Sequence, residues 1–192
     1  MMIPGFISPW EEPGFDEWQR KLEVLPPGEA RVRDAHPTVQ DAKWMRWMQA
    51  DSESANIQDI SSNIVSIQEK TVLIAEVRDC AVGFCQAVTG RSLHDPLFVQ
   101  MVAVIPTAQR RGVGLALLKA AAASESSRDI VVATLDGNTA ARAMNERLAL
   151  SIGLPIGRVP IKSYRRSDMG IGPGEKHRPW RIQRDSSADV GR

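Results

Sequence analysis

The stretch Val102-Ala-Val-Ile-Pro-Thr-Ala-Gln-Arg-Arg-Gly-Val-Gly-Leu-Ala-Leu-Leu118 decides the fold of this chain. It begins with an apolar run that predicts a buried strand ending at Pro106, and a short basic loop then leads through Gly112-x-Gly114 into an apolar helix. The first amides of a helix have no intrahelical partner and lie at the positive end of the helix dipole. Because glycine has no Cβ, a ligand can approach that backbone closely. The pattern therefore predicts a site for an anion, most often a phosphate.

Two common phosphate-binding loops do not fit this sequence. It has no Gly-Lys-Ser/Thr end for a triphosphate and magnesium, and it lacks the third glycine of a dinucleotide fingerprint. A plain tight turn can carry the same two glycines, so only the flanking elements can distinguish a phosphate-binding loop from such a turn. Gln-x-x-Gly-x-Gly after a strand, with basic residues in the loop, resembles the acyl-CoA pyrophosphate loop of the GCN5-related N-acetyltransferase (GNAT) family. The matching residues are Gln109, Arg110, Arg111, Gly112, Val113 and Gly114.

The elements after this loop follow the order of the same family. An apolar run over residues 130–135 predicts a second buried strand, and Asn138 provides an N-cap for a helix that ends near Gly153. Asn138 and Ala141 match the Asn-x-x-Ala with which the family begins this helix. Together with a predicted hairpin over residues 71–88, the resemblance spans residues 30–154.

The resemblance implies an α/β (α+β) fold of the GNAT type. In such a fold a mixed, mostly antiparallel central sheet is flanked by helices, and its two central strands splay apart. The family places its hairpin directly before the strand that binds CoA, as the order of elements here requires.

Composition fits one compact domain with a sizeable core, because 43% of the 192 residues are hydrophobic. The net charge of +1 gives no long-range attraction to nucleic acid or membranes, and no run reaches the length of a membrane span. The N-terminus lacks the pattern of a secretory signal, so we expect a cytoplasmic protein. Cys80 and Cys85 predict small buried residues rather than a disulfide or a metal site.

Three regions follow from the distribution of proline, aromatic and polar residues. Residues 1–27 hold five prolines and several aromatics, which predicts an irregular arm lying on the domain or on a partner subunit, as in a homodimer. Residues 28–185 form the acetyltransferase domain, and residues 186–192 form a flexible tail. Within the domain we expect a strand near residues 29–33, a helix opened by Thr38-x-x-Asp41, and a second helix over residues 54–65.

The end of the domain predicts two extended segments around a glycine-rich connection. They cover residues 158–166 and 177–184, and Pro160 and Pro179 favour edge strands rather than central ones. The basic residues here fit a solvated edge guarded by charge, or a local site for an acidic acceptor or RNA.

The resemblance implies acetyl-CoA as co-substrate and no metal. Backbone amides from Arg110 to Gly114 would hold the pyrophosphate, the main-chain N–H groups of Val102 and Val104 would bind the thioester carbonyl, and Asn138 and Asn145 would line the cofactor site. Trp44 and Trp47 would line the acceptor pocket, since the family builds part of that pocket from its first helices. Core packing is the alternative for both tryptophans.

The catalytic groups are the least clear part of the sequence. Proton removal from the attacking amine needs a carboxylate, a histidine or a water chain. Many relatives carry a glutamate on the CoA-binding strand, but residues 98–102 hold no acid. Glu76 on the preceding hairpin, and His94 with Asp95 just before the strand, are the nearest candidates for the base. Many relatives also use a tyrosine to protonate the thiolate; Met144 and Asn145 stand in its place, which leaves Tyr164 as the candidate.

We therefore expect an N-acetyltransferase that moves an acetyl group directly from acetyl-CoA to an amine of a small molecule, peptide or protein. One alternative is a CoA-binding regulatory module that has lost its acid and base. Another is an RNA-directed acylating toxin, which only the basic residues 162–166 favour. The sequence does not identify the acceptor.

Overall fold

A computed structural model describes residues 8–52, 57–92 and 94–184. The start of the arm, the tail at 186–192 and the expected start of the second helix at Ser54 lie outside the described residues. Within these ranges the chain forms five α-helices and seven strands, in the order α1 Phe15–Glu23, β1 Arg31–Asp34, α2 Val39–Asp51, α3 Ile60–Glu69, β2 Thr71–Val77, β3 Cys80–Thr89, β4 Leu97–Val104, α4 Val113–Ser124, β5 Ile130–Leu135, α5 Thr139–Ser151, β6 Ile156–Arg158 and β7 His177–Ile182. No helix in these ranges is long and apolar enough to span a membrane.

The seven strands form one mixed sheet in the order β1-β2-β3-β4-β5-β7-β6. β1 with β2, β5 with β7, and β6 with β7 pair antiparallel, whereas β4 with β5 pairs parallel. The predicted fold, a mostly antiparallel sheet flanked by helices, is confirmed. The described residues cluster into two compact units, the first reaching to Phe84 and including Ala103–Leu117, the second made of Cys85–Val102 and the residues from Leu118 onward.

In the first unit, the N-terminal arm is not irregular as its proline content predicted. Phe15, Trp18 and Leu22 recur at helical spacing and form the buried face of α1, which packs with Trp47 of α2 at ring-centroid distances of 5.8 Å from Phe15 and 5.7 Å from Trp18. The prediction failed because the prolines all lie outside this helix, at positions 4, 9, 13, 26 and 27. The described part of the arm thus packs on its own chain.

A buried ion pair fixes the arm to α2. The Glu12 carboxylate accepts hydrogen bonds from Arg46 Nε at 2.6 Å and from Trp47 Nε1 at 2.7 Å. The Glu12 and Arg46 side chains are only 7% and 3% exposed. A carboxylate and a guanidinium this deeply buried are tolerated only because each neutralises the other and both are hydrogen-bonded.

Two boundaries in the first unit can be compared with the predictions. Thr38 Oγ1 accepts from Asp41 N, as the capping box predicts, and α2 begins directly after it. The second helix begins at Ile60 rather than near residue 54, because Asp59 supplies the N-cap by accepting from Ser62 N at 2.7 Å. The apolar spacing had located the helix but not its cap.

In the second unit, the last strand is central rather than at an edge. β7 lies between β5 and β6, with Pro179 opposite Ala133. The Pro179 carbonyl accepts from Val159 N, so both the carbonyl and the nitrogen of Pro179 face the β6 side of the strand. The pairing of β6 with β7 ends at Arg158 and Trp180, so no ladder hydrogen bond is lost at Pro179. A proline is therefore tolerated in this central strand. The other predicted extended segment is also shorter than expected, since β6 ends at Arg158 and a 3-10 helix occupies Ile161–Ser163.

The ion pair under the arm yields a stability prediction. Glu12→Gln removes the charge of the buried carboxylate that accepts from Arg46 and Trp47, so we expect the free energy of unfolding to fall by about 3–5 kcal/mol. Urea denaturation measures this loss. Glu11→Gln, at the exposed neighbouring residue, is the matched control and should change the value by less than about 0.5 kcal/mol. Equal effects of the two changes would contradict this role of Glu12.

Candidate active site

The glycine loop of the first unit has the backbone of an anion site. Arg110 and Gly112 both adopt the left-handed conformation, with φ of 61° and 81°. The Gly112 carbonyl accepts from Ala116 N at 2.9 Å, which places Gly112 at the N-cap of α4. The next amides therefore have no intrahelical acceptor. A Cβ added at Gly112 would meet no atom within 4 Å, so the space beside the loop is open.

Two side chains hold this loop in shape. Gln109 Nε2 donates to the Val104 carbonyl at the end of β4, at 3.0 Å. Arg111 Nη1 donates to the Pro26 carbonyl at 3.0 Å, so the Arg111 guanidinium is tied to the segment after α1. Arg110 and Arg111 are both exposed, but among the described residues only the Arg111 side chain forms a hydrogen bond. The structure thus distinguishes the two arginines, which the sequence did not.

In the second unit, β4 and β5 separate after a short stretch of pairing. They pair only over Leu97–Val99 and Ile130–Val132, and β4 continues for five residues without β5 beside it. A cleft of about 230 Å³ opens there, between the two strands and α5. Its lining residues are Val99, Gln100, Met101, Val102, Leu118, Val132, Ala133, Thr134, Leu135, Asn138, Ala141, Met144, Asn145 and His177. The predicted splay of the central strands is thus present.

The two predicted asparagines both line this cleft, but their side chains are in different states. Asn138 Oδ1 accepts from Ala141 N at 3.0 Å and caps α5. Asn145 is 4% exposed, and within the described ranges its side-chain amide has no hydrogen bond. The Asn145 amide therefore keeps its donor and acceptor groups free for a ligand in the cleft.

A second, larger hollow of about 520 Å³ meets this cleft at Gln100, which lines both. The Gln100 side chain acts as a clamp between β4 and the segment that joins β6 to β7. Its Nε2 donates to the carbonyls of Ser167 and Asp168, at 3.2 and 3.0 Å, and its Oε1 accepts from Gln86 Nε2. The segment between β6 and β7 is thereby held against β4. The hollow is lined by Val88, Thr89, Gly90, Arg91, Ser92, Asp95, Phe98, Gln100, Ser163, Tyr164, Arg165, Ser167 and Asp168.

Gly170 makes this close approach possible. Its φ of 68° lies in the left-handed region, and a Cβ there would lie 2.9 Å from Gln100 Cβ. Met169 and Ile171 on either side are buried against Phe98 and Val131 of the sheet. The segment is therefore fixed by apolar packing as well as by the Gln100 clamp.

The three predicted catalytic residues are dispersed. Glu76 lies in the first unit and accepts from Arg33 Nε at 2.9 Å, so its carboxylate is already neutralised by a cation. His94 is an exposed loop residue. Neither lines the cleft or the hollow at Gln100.

Tyr164 does line the hollow, because its segment folds back onto β4. Its ring packs edge-on against Phe98, with 5.3 Å between ring centroids. Burial raises the pKa of the Tyr164 phenol, and the positive charge of Arg181 partly offsets that rise. Tyr164 thus lies over the part of the sheet where β4 and β5 are still paired, because Phe98 is opposite Val131 there.

The predicted acceptor-pocket tryptophans lie in the first unit. Trp47 is 3% exposed and belongs to the aromatic core under the arm. Trp44 is half-buried, lies 5.8 Å from the Arg33 guanidinium, and lines a separate hollow of about 270 Å³ with Trp18 and Lys21. Core packing therefore accounts for Trp47, while Trp44 has a surface open to a ligand.

Sequence reasoning missed three residues that the second unit brings to the site: Gln100, Asp168 and His177. His177 lines the cleft, and its Nδ1 lies 3.4 Å from Glu175 Oε2 but is not aligned for a hydrogen bond. The positions of Asp168 and His177 are set by the turns that precede β7. Such turns have no hydrophobic periodicity that could be recognised in the sequence. The only signal was Gly170, which follows Asp168-Met169 and marks a tight turn.

Cys80 and Cys85 are free and buried, as predicted, and burial raises the pKa of the Cys85 thiol to about 12. Among the residues that the structure describes, no group of three or more histidine, cysteine, aspartate or glutamate side chains could hold a metal ion.

Comparison with known proteins agrees with this geometry. Residues 68–148 match the family model described as the Acetyltransferase (GNAT) domain, which covers the hairpin, β4, the glycine loop, β5 and most of α5. No curated protein matches the chain by sequence.

Solved structures share its fold at low sequence identity. Diaminobutyrate acetyltransferase EctA from Paenibacillus lautus, in complex with L-2,4-diaminobutyric acid and coenzyme A, is 20% identical, with a TM-score of 0.59 over 80% of this chain and 95% of that one. The ribosomal-protein-S18-alanine N-acetyltransferase from Escherichia coli is 16% identical, with a TM-score of 0.57 over 80% and 93%. The yncA protein of Salmonella typhimurium, solved with acetyl-CoA, is 19% identical, with a TM-score of 0.56 over 84% and 97%.

The Gln100 clamp leads to a prediction about the segment it holds. Gln100→Ala removes two hydrogen bonds to carbonyls, so we expect a loss of about 1–2 kcal/mol in unfolding free energy and faster trypsin cleavage after Arg165 and Arg166. Gln68→Ala, at an exposed position of α3, is the control. Unchanged cleavage at both arginines would show that the clamp does not order the segment.

Proposed function

We propose that this chain is an acetyl-CoA-dependent N-acetyltransferase of the GNAT family, in which cofactor and acceptor meet at Gln100, where β4 leaves β5. The match of residues 68–148 to the GNAT domain model supports the family, and the solved acetyltransferases support the fold. The main support for this proposal is that the narrow cleft and the larger polar hollow share one lining residue, Gln100. Gln100 is the first residue of β4 after its pairing with β5 ends.

The cofactor is held in two places. The amides that follow Gly112 bind the pyrophosphate, because they lack intrahelical partners and carry the positive end of the α4 dipole. Arg110 adds charge from solvent, whereas Gln109 and Arg111 keep the loop in shape. Gly112, Val113 and Gly114 leave the backbone accessible.

The cleft takes the pantetheine arm and the thioester. β4 has no β5 neighbour beyond Val99, so its main-chain N–H groups on that side are available to the thioester carbonyl. Val102 lines the cleft and is the better placed of the two predicted donors, since the Val104 carbonyl already accepts from Gln109. The Asn145 amide hydrogen-bonds the cofactor near its sulfur, and Asn138 lines the cleft while capping α5.

The acceptor amine enters through the larger hollow. Its lining combines hydroxyl groups, charged side chains and the aromatic rings of Phe98 and Tyr164, which suits an amine on a polar molecule. EctA acts on a free diamino acid, and the ribosomal-protein-S18-alanine N-acetyltransferase acts on an alanine of a protein. The fold therefore accommodates both small and large acceptors. Trp44, in the hollow of the first unit, stays a prediction as an acceptor contact.

A cytoplasmic location belongs to the same proposal, because both thiols are free, as they are kept in a reducing compartment. A homodimer also stays a prediction of the sequence, to be tested by sedimentation.

A CoA-binding regulatory module is the second candidate. It is favoured by the Gln100 clamp on β4, and by the ion pair of Glu76 with Arg33, which occupies one of the predicted bases. Such a module would bind CoA without turnover.

Release of free CoA from acetyl-CoA separates the two candidates. The assay uses L-2,4-diaminobutyrate, spermidine and a peptide with N-terminal alanine as acceptors, with an amine-free reaction as the control. We expect amine-dependent CoA release and a product heavier by one acetyl group by mass spectrometry. Tight CoA binding in calorimetry with no turnover on any amine would favour the regulatory module.

The glycine loop gives a binding prediction. Gly112→Val forces a β-branched residue into a φ of 81° and places a side chain beside the free amides, so CoA affinity should fall at least tenfold in calorimetry. Gly137→Val is the control, because its Cβ also meets no atom within 4 Å and its φ is not in the left-handed region. Equal CoA affinity in both variants would remove the loop from the cofactor site.

A further inference from the structure

We infer that Asp168 is the proton acceptor of the reaction and that the acceptor binds as a protonated amine beside its carboxylate. This inference rests on the proposed function and adds to it the missing catalytic group and the charge state of the substrate. Asp168 lies on the segment between β6 and β7, far in sequence from the strand that binds the cofactor.

The position of Asp168 is fixed at the junction of cleft and hollow. Its own carbonyl accepts from Gln100 Nε2 at 3.0 Å, and it lines the hollow that meets the cleft at Gln100. Its neighbour Met169 is 2% exposed and packs on Phe98 and Val131. The residue is therefore held near the diverging strands by both a hydrogen bond and apolar packing.

The charge of Asp168 is available for a ligand. Its carboxylate contacts only Ser167 Oγ, at 3.4 Å, and forms no ion pair with any residue in the described ranges. The other carboxylate of the hollow, on Asp95, accepts a shorter hydrogen bond from the backbone, since Ser92 N donates to its Oδ2 at 2.8 Å. A carboxylate without a cation at the edge of a polar hollow favours an ammonium group as its ligand.

The groups facing Asp168 across the hollow agree with this role. Arg91 and Asp95 come from the loop before β4, and Tyr164 and Arg165 come from its own segment. Arg91 and Arg165 are exposed, and burial raises the pKa of the Tyr164 phenol, which keeps it protonated. Asp168 is the carboxylate of the hollow whose backbone is held by Gln100, at the junction where the amine would lie.

The step balances without any further reactant. The Asp168 carboxylate takes one proton from the bound R–NH₃⁺, and the nitrogen lone pair of R–NH₂ attacks the thioester carbonyl carbon. The new C–N bond forms, the C–S bond breaks, and the second nitrogen proton passes to the thiolate to give CoA–SH. Asp168 then returns its proton to water.

The test is the pH dependence of Asp168→Asn. Without a base, only amine that is already neutral reacts, so kcat should fall about 100-fold at pH 7, and this deficit should shrink about tenfold per pH unit toward the amine's own pKa. CoA affinity in calorimetry should stay unchanged. The acceptor is the best amine among L-2,4-diaminobutyrate, spermidine and the alanine peptide.

Two further variants keep the test sharp. Asp168→Glu retains the carboxylate and should recover part of the lost kcat, and Asp168→Ser replaces the Asn variant if that one fails to fold. Asp16→Asn, on the exposed face of α1, is the matched control and should leave kcat within twofold.

A kcat within twofold of the unsubstituted enzyme, or a deficit that is the same at every pH, would overturn the role of Asp168. Failure of the unsubstituted enzyme to acetylate any of the amines would instead overturn the proposed function, and this inference with it. The two failures are distinguished by whether the unsubstituted enzyme turns over.

Discussion

The separation of β4 from β5 is the constraint on which the rest of the site depends. The two strands pair over only three residues each, and the unpaired part of β4 exposes one side of its backbone to a cleft. Main-chain groups left without a strand partner are costly in a buried place unless something else satisfies them. In the proposed function a bound thioester satisfies them, which would link the departure from regular sheet pairing to acyl transfer.

The segment between β6 and β7 completes the site by folding back over β4. Gln100, Gly170 and Met169 hold it by a clamp, a close backbone approach and apolar burial. Gln100, a neutral side chain on β4, thus holds the backbone of Asp168, the carboxylate that we propose as the base. A glutamate at 100 could not donate to the two carbonyls that Gln100 binds.

Sequence predicted well wherever local chemistry determines structure. The glycine loop, the Asn138 cap and the hairpin over 71–88 depend on neighbouring residues, and all appear as expected. α1 was missed because prolines that bound a helix look the same as prolines that prevent one. The central position of β7 and the location of Asp168 depend on contacts between residues far apart in sequence, which no local pattern records. For the same reason, the sequence predicted the glycine loop at Gly112 but not Asp168, the residue that we propose as the base.

Hydrogen exchange of the backbone amides with and without CoA tests the central claim most directly. We expect saturating CoA to slow the exchange of the amides of residues 111–115, at the start of α4, and of Met101 and Val102, on the unpaired part of β4. The amides of α3, Ile60–Glu69, should exchange at the same rate in both states. Exchange at Met101 and Val102 that is unaffected by bound CoA would contradict the account.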